Sequence, residues 1–286
     1  MRKKLKPYIM LMPVLFIIIF ILSVAIVSSA LESVGYYKVA GLNHFTFKYY
    51  IEVIKDKGFL TSIKFSFYTS MVSSTISIIL GIVISYFIFT KNNKNKFLYY
   101  IYKFPIVIPH AVVAFLIISM LSQGGILARI FYSLSIISSQ NFFPNFIFDK
   151  KGIGIIITYI WKEMPFVVLM IYAVLSNIDK KIWEAAINLG ASKRQAFLYV
   201  MIPMIRSTIF SSFILIFTFS FGAFEVPYLI GPTTPKALPV RAYLEYSNPS
   251  LLNRPYAMAT NMILIIISLI LIFFYEKSYF RAKNID

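Results

Sequence analysis

The sequence predicts an all-α, polytopic membrane protein with six spanning helices. Apolar residues make up 59% of the 286, where a soluble domain carries roughly 45–50%. They gather in six runs that approach or exceed the roughly 17–25 residues a spanning helix needs. The 28 Lys and Arg, against 11 Asp and Glu, sit largely in short segments beside those runs.

The runs are Tyr8–Leu31, Ser66–Phe89, Pro105–Leu121, Ile153–Leu175, Ser207–Ile230 and Tyr256–Phe274. The first follows MRKKLK and ends in VSSA, so it shares features with a secretory signal peptide. Its apolar core is longer than a typical signal core and five more runs follow, so it reads as a retained first helix. Pro13, Gly81, Pro165, Gly222 and Pro227 fall inside runs. Spanning helices tolerate these residues because neighbouring helices re-satisfy the freed backbone groups.

Orientation follows from the basic residues. MRKKLK precedes the first run. KNNKNK (Lys91–Lys96) and Lys103 separate the second and third. Lys180, Lys181, Lys193, Arg194 and Arg206 lie between the fourth and fifth, and Lys277, Arg281 and Lys283 follow the sixth. They alternate with longer, more sparsely basic segments at about 32–64, 122–152 and 231–255. The dense set is expected in the cytoplasm, with both termini inside a bacterial cell membrane. A net charge of +17 would suggest nucleic acid in a soluble chain. In this pattern it suits anionic lipid head groups, and no nucleic acid partner is expected.

Several chemistries are excluded or disfavoured. With no cysteine, disulfides, thiolate metal sites and cysteine nucleophiles cannot form. His44 and His110 are far apart, so a metal site is not expected. Lone His110, beside Pro109, reads more readily as structural than as a proton relay. No GxxxxGK[ST] phosphate loop is present, so the chain cannot supply its own ATP hydrolysis.

One stretch breaks the apolar pattern: EAAINLGASKRQAFLYVMIPMI, residues 184–205. Asp179 can cap a helix through KKIWEAAINL, and Gly190 suits its left-handed end. Ser192 and Gln195 have the spacing of a capping box for a second helix, and Pro203 leads into the fifth run. The result is two short helices joined by a glycine elbow. Ala185, Ala186 and Ala191 keep the first one slim enough to enter a groove on another protein. An amphipathic loop lying on lipid head groups is the alternative.

Residues Glu184, Ala185, Ala186, Gly190, Val200, Ile202 and Pro203 resemble the EAA loop of ABC importer permeases: E-A-A, three residues, G, nine residues, I-x-L-P. Val200 and Ile202 stand for the usual Ile and Leu. The upstream IWKEMPFVVLMIYAVLSNIDKKIWEAA, with Trp161, Pro165 and Phe166, is similar to the segment such permeases carry there. The resemblance covers about residues 60–276.

It implies a type I importer permease fold: an N-terminal helix and outer loop at 1–59, a transmembrane core at 60–276 with its coupling loop at about 179–203, and a cytoplasmic tail at 277–286. It also implies that Glu184, Ala185, Ala186, Gly190 and Pro203 couple the chain to an ATPase. The implied partners are two ATPase subunits, a second permease (identical or, by the polyamine-type analogy, a sister) and an extracytoplasmic solute-binding protein. ATP and Mg would be bound by the ATPase, with no cofactor in this chain. SFGAFEVPYLIGPTTPKALPV looks more like the polyamine-type branch than the sugar branch, whose T-x-G-G-P run is missing.

Charges inside the runs are costly facing lipid, about 2.5–3.5 kcal/mol or more each at mid-bilayer, and should face protein or water. Glu225, with Phe221 and Tyr228 about one turn either side, is expected on one face of the fifth helix. It would serve as a cation path or outer gate, or as a structural carboxylate paired with Lys162 or a backbone donor. Lys162 and Glu163 read first as structural, each with a local partner, and Glu163 is a further pathway candidate. A multi-span membrane enzyme would need convergent catalytic groups, and a self-powered secondary transporter more often shows two related halves. Neither pattern is visible.

Overall fold

A computed structural model describes residues 2–91 and 105–283. The basic stretch from Asn92 to Lys96, and Lys103, lie outside the described residues. Among the described residues, six segments are long and apolar enough to cross a membrane: Met10–Ser33, Lys57–Thr90, His110–Ser133, Ile153–Leu175, Lys193–Gly222 and Leu251–Phe274. The chain packs as two units, Met1–Leu60 with Arg241–Ile266, and Thr61–Val240 with Ile267–Asp286.

The first unit opens with α1, Arg2–Ser33. No residue of its most apolar 18-residue stretch is buried by protein. A helix apolar on every side and covered on none belongs in lipid. Where α1 ends, Ser33 Oγ shares a 2.7 Å hydrogen bond with the Tyr50 hydroxyl. The connection expected at 32–64 is ordered. A two-residue hairpin pairs β1 (Tyr36–Tyr37) with β2 (Leu42–Asn43). Helix α2 (Lys48–Lys55) follows. Helix α3 (Lys57–Lys91) starts well before the Ser66 expected from hydropathy.

Asp56 explains the early start. Its carboxylate accepts the amides of Gly58 and Phe59, both at 3.1 Å, and so caps α3. Arg241, in the helix Leu238–Tyr246 (α11), ion-pairs with both Asp56 and Glu245. Partial burial pushes the Asp56 carboxyl up. The Gly58 amide, the Arg241 guanidinium and the Phe59 amide outweigh it and hold the carboxyl below 3.8. Glu245 also accepts from Thr260 at 3.1 Å, in α12, Arg254–Lys283.

The second unit holds the core. Helix α4 (His110–Leu121) leads into α5 (Ile126–Ser133). Helix α6 (Ile153–Leu175) is the most buried span, with Val167, Val168, Ile171 and Leu175 fully enclosed. Pro165 lies inside it without ending it. Helix α3 meets α6 where Gly81 faces Val167; a Cβ on Gly81 would come within 2.9 Å of the Val167 Cβ. Ser66, Ser70, Ser73, Ser74 and Ser77 are buried along α3. Small side chains of this kind let spanning helices approach closely. After α6 come α7 (Lys180–Asn188), α8 (Lys193–Ala196), a π-helical turn at Phe197–Met201, α9 (Ile202–Gly222) and α10 (Glu225–Ile230).

Two expected helices are broken. The run Pro105–Leu121 is helical at 105–107, interrupted at Ile108–Pro109, and resumes with α4. The preference of the residue before proline for extended backbone accounts for the break. The run Ser207–Ile230 ends at Gly222, because Ala223 is extended, with ψ 136°.

Candidate coupling loop and membrane cleft

The polar stretch folds as its local signals dictate. Asp179 caps α7 by accepting the Lys181 amide at 3.0 Å. The C-terminus closes with two bonds: the Gly190 amide to the Ile187 carbonyl at 2.9 Å, and the Ala191 amide to the Ala186 carbonyl at 3.1 Å. This is the Schellman arrangement, and it needs a left-handed residue at Gly190. The glycine has φ +90° and open space around the site of a Cβ. The backbone angle is therefore what calls for glycine. Ser192 and Gln195 then form the capping box of α8, at 3.3 and 2.8 Å.

Glu184, Ala185 and Gly190 are exposed, and Ala186 is half-buried. Pro203 lies in the first turn of α9, where a missing amide costs least. Pattern reading passed over exposed apolar side chains here: Leu189, next to Gly190, is 89% exposed, and Tyr199, in the π-helical turn with exposed Leu198, is 77% exposed. The signal was present, since α7 already shows a polar and an apolar side. What sequence lacked was which apolar residues the core leaves uncovered.

The second feature is a cleft of about 370 Å³ lined by Ile106, His110, Lys162, Glu163, Phe166, Leu215, Ile216 and Phe219. Helix α6 brings Lys162, Glu163 and Phe166; α9 brings Leu215, Ile216 and Phe219; the broken segment brings Ile106 and His110. The His110 ring lies 4.9 Å from that of Phe219.

The two adjacent charges differ sharply. Lys162 Nζ donates to the carbonyls of Pro105 at 2.7 Å, Ile106 at 3.2 Å and Ile108 at 2.5 Å. These acceptors sit at the chain break, where helical carbonyls lose their own partners. Glu163 is 5% exposed, and neither carboxylate oxygen has a hydrogen-bond partner among the described residues. Ser220 lies close by, but gives its proton to the carbonyls of Ile216 and Phe217 at 2.8 and 3.2 Å. The expectation that each charge finds a local partner therefore holds for neither in that form. Lys162 reaches a distant segment, and Glu163 has none.

Glu225 also departs from expectation. It does not lie inside the fifth helix but in the first turn of α10, where a carboxylate suits the helix dipole. The intervening break rotates it off the face of Phe221. Phe221 is 2% exposed in the core, while Glu225 and Tyr228 are exposed. Tyr228 stacks on Phe224 with ring centroids 4.9 Å apart. Lys162 does not pair with Glu225; its protons go to the three carbonyls.

Six spanning segments, with a doubly capped elbow between the fourth and fifth, define a polytopic permease-type membrane subunit. The chain belongs to the binding-protein-dependent transport system inner membrane component family, whose pattern matches residues 77–283. It is 28% identical over 134 residues to the spermidine/putrescine transport system permease protein PotB of Escherichia coli K12, covering 46% of this chain and 48% of that one. It is 26% identical over 183 residues to the probable sulfate transport system permease protein cysT of Chlorella vulgaris, covering 64% of each. The chain thus spans about half the length of the PotB relatives it matches. Its fold is shared by a chain of a bacterial alginate ABC transporter, solved in complex with an alginate pentasaccharide-bound periplasmic protein. There the TM-score is 0.77 at 18% identity, covering 96% of this chain and 94% of that one.

Proposed function

We propose that this chain is the permease subunit of an ATP-driven importer, forming half of the path for a small solute. The observation that supports this most directly is the hydrogen-bonded elbow at Gly190, carried between two capped helices with Leu189 uncovered beside it. A surface built this way offers a partner a fixed shape and apolar area. Under this reading the partner is an ATPase subunit in two copies, which binds ATP and Mg. Glu184, Ala185, Ala186 and Gly190 seat in it, and Pro203 leads the motion into α9.

On this reading the elbow and both termini face the cytoplasm, which the basic segments favour. Residues 60–276 act as the transporting core, with 1–59 an added helix and outer loop and 277–286 a tail. A sister permease supplies the other half of the path, and an extracytoplasmic binding protein delivers the solute. Glu163 in the cleft, and Glu225 with Tyr228 beyond the α9 break, line the route, while Phe221 backs it from the core. The solute is a small organic compound, with a polyamine favoured by the sequence likeness.

Affinity purification of the tagged chain from its native membrane tests the assembly. An ATPase and a second permease should co-purify in fixed proportion. A chain that moves solute alone after reconstitution would contradict it.

A further inference from the structure

We propose that Glu163 is the carboxylate that receives the ammonium group of the solute in the cleft, so that the cleft selects small alkylamines over anions and neutral solutes. This rests on the importer reading above. Two facts about neighbouring residues carry it.

The first concerns Lys162. An ammonium group has three N–H donors. Those of Lys162 face three acceptors, the carbonyls of Pro105, Ile106 and Ile108. No donor is left for an anion entering the cleft, so the one lysine there is fully engaged by the protein's own backbone.

The second concerns Glu163. Both of its oxygens are buried and without a hydrogen-bond partner among the described residues, and the residue lines the cleft. A buried carboxylate without donors is a strong demand for a cationic donor. Tyr159, one turn earlier on α6, also holds a fully buried hydroxyl with no hydrogen-bond partner among the described residues.

The rest of the lining suits the same solute. Phe166 and Phe219 present aromatic rings, which attract cations by their faces. Ile106, Leu215 and Ile216 provide apolar contact for methylene groups. The volume of about 370 Å³ falls within the range of small-molecule sites, roughly 300–1,000 Å³. His110 and Glu225 are the other titratable groups near this cluster, with His110 within electrostatic reach of Lys162 and Glu225.

The test uses the complete importer, with its ATPase, second permease and binding protein, in proteoliposomes containing ATP. Uptake of labelled putrescine, sulfate and glucose is measured for wild type, Glu163→Gln and Glu163→Asp. The wild type should take up putrescine and not the other two. Glu163→Gln should lose at least about tenfold of that uptake. Glu163→Asp should recover part of it. Wild-type uptake of sulfate or glucose in place of putrescine would overturn the assignment, as would full putrescine uptake by Glu163→Gln.

If Glu163→Gln fails to assemble, binding to the wild-type complex in nanodiscs decides. Putrescine should displace labelled putrescine, and its charge-free N,N′-diacetyl derivative should not; equal displacement would overturn the proposal. Uptake of none of the three probes by wild type would instead contradict the importer reading. The nanodisc competition, repeated with Glu163→Asp, would still test the role of Glu163: weaker putrescine binding by the variant supports it, and equal binding overturns it.

Discussion

The Ala191 amide donates to the Ala186 carbonyl at 3.1 Å across the elbow. That bond joins a residue of the slim helix to the first residue beyond the glycine. It fixes the angle between α7 and α8, so a force applied to one is transmitted to the other through a closed hydrogen-bonded turn. Further on, α8 continues through the π-helical turn into α9, with no flexible linker between.

A first prediction concerns the three carbonyls held by Lys162. Lys162→Met keeps most of the side-chain length and removes the donors. Losing charge-assisted bonds to buried acceptors should cost about 2–4 kcal/mol. Thermal unfolding in detergent should show the loss as a lowered midpoint, and an unchanged midpoint would mean that the carbonyls find other donors.

A second concerns pH and the first unit. Asp56 is held below 3.8, so its stabilising contribution is full above about pH 4 and is lost as pH falls through its lowered value. Asp56→Asn keeps an α3 cap, because Asn caps nearly as well as Asp, and removes only the charge facing Arg241. The partial exposure of the pair limits the effect to about 0.5–1 kcal/mol. The midpoint difference between wild type and this variant should be present at pH 7 and shrink toward pH 3. A difference that grows as pH falls would reverse the assignment.

A third concerns the close approach of α3 and α6. Gly81→Leu would drive a side chain into Val167. Overpacking of this kind costs about 1–3 kcal/mol. Folded yield by size-exclusion chromatography should fall, and Val167→Ala in the same chain should recover part of it by making room.

A fourth concerns orientation. The chain has no cysteine, so single cysteines report cleanly. Ile136→Cys, on the exposed connection after α5, should react with an impermeant maleimide on whole cells. Asn188→Cys, at the end of α7, should react only after the membrane is opened. The opposite pattern would invert the topology.

Much of this was legible in sequence wherever the cause is local. The spans follow from apolar runs, and both caps and the left-handed glycine follow from residues within a few positions of one another. The break at Ile108–Pro109 had a local signal in Pro109, but hydropathy registers neither it nor the break at Ala223–Phe224. Without the second break, Phe221 and Glu225 would share a face; with it, one is core and the other exposed. The partners of Lys162 lie 54–57 positions away, so no spacing rule could find them. The unpartnered state of Glu163 is the outcome of that distant arrangement.

The most direct test of the coupling role compares uptake with ATP hydrolysis in the reconstituted complex carrying Gly190→Val or Ala186→Trp. Valine at φ +90° costs about 1–2 kcal/mol of backbone strain, and tryptophan would overfill the proposed ATPase groove at Ala186. Both changes lie on the elbow, outside the buried helices of the core. The account predicts that the membrane core stays folded while uptake falls sharply, with ATPase either lost from the complex or hydrolysing without transport. Full uptake with a full complement of ATPase in both variants would contradict it, and would leave the elbow a helix resting on the membrane surface.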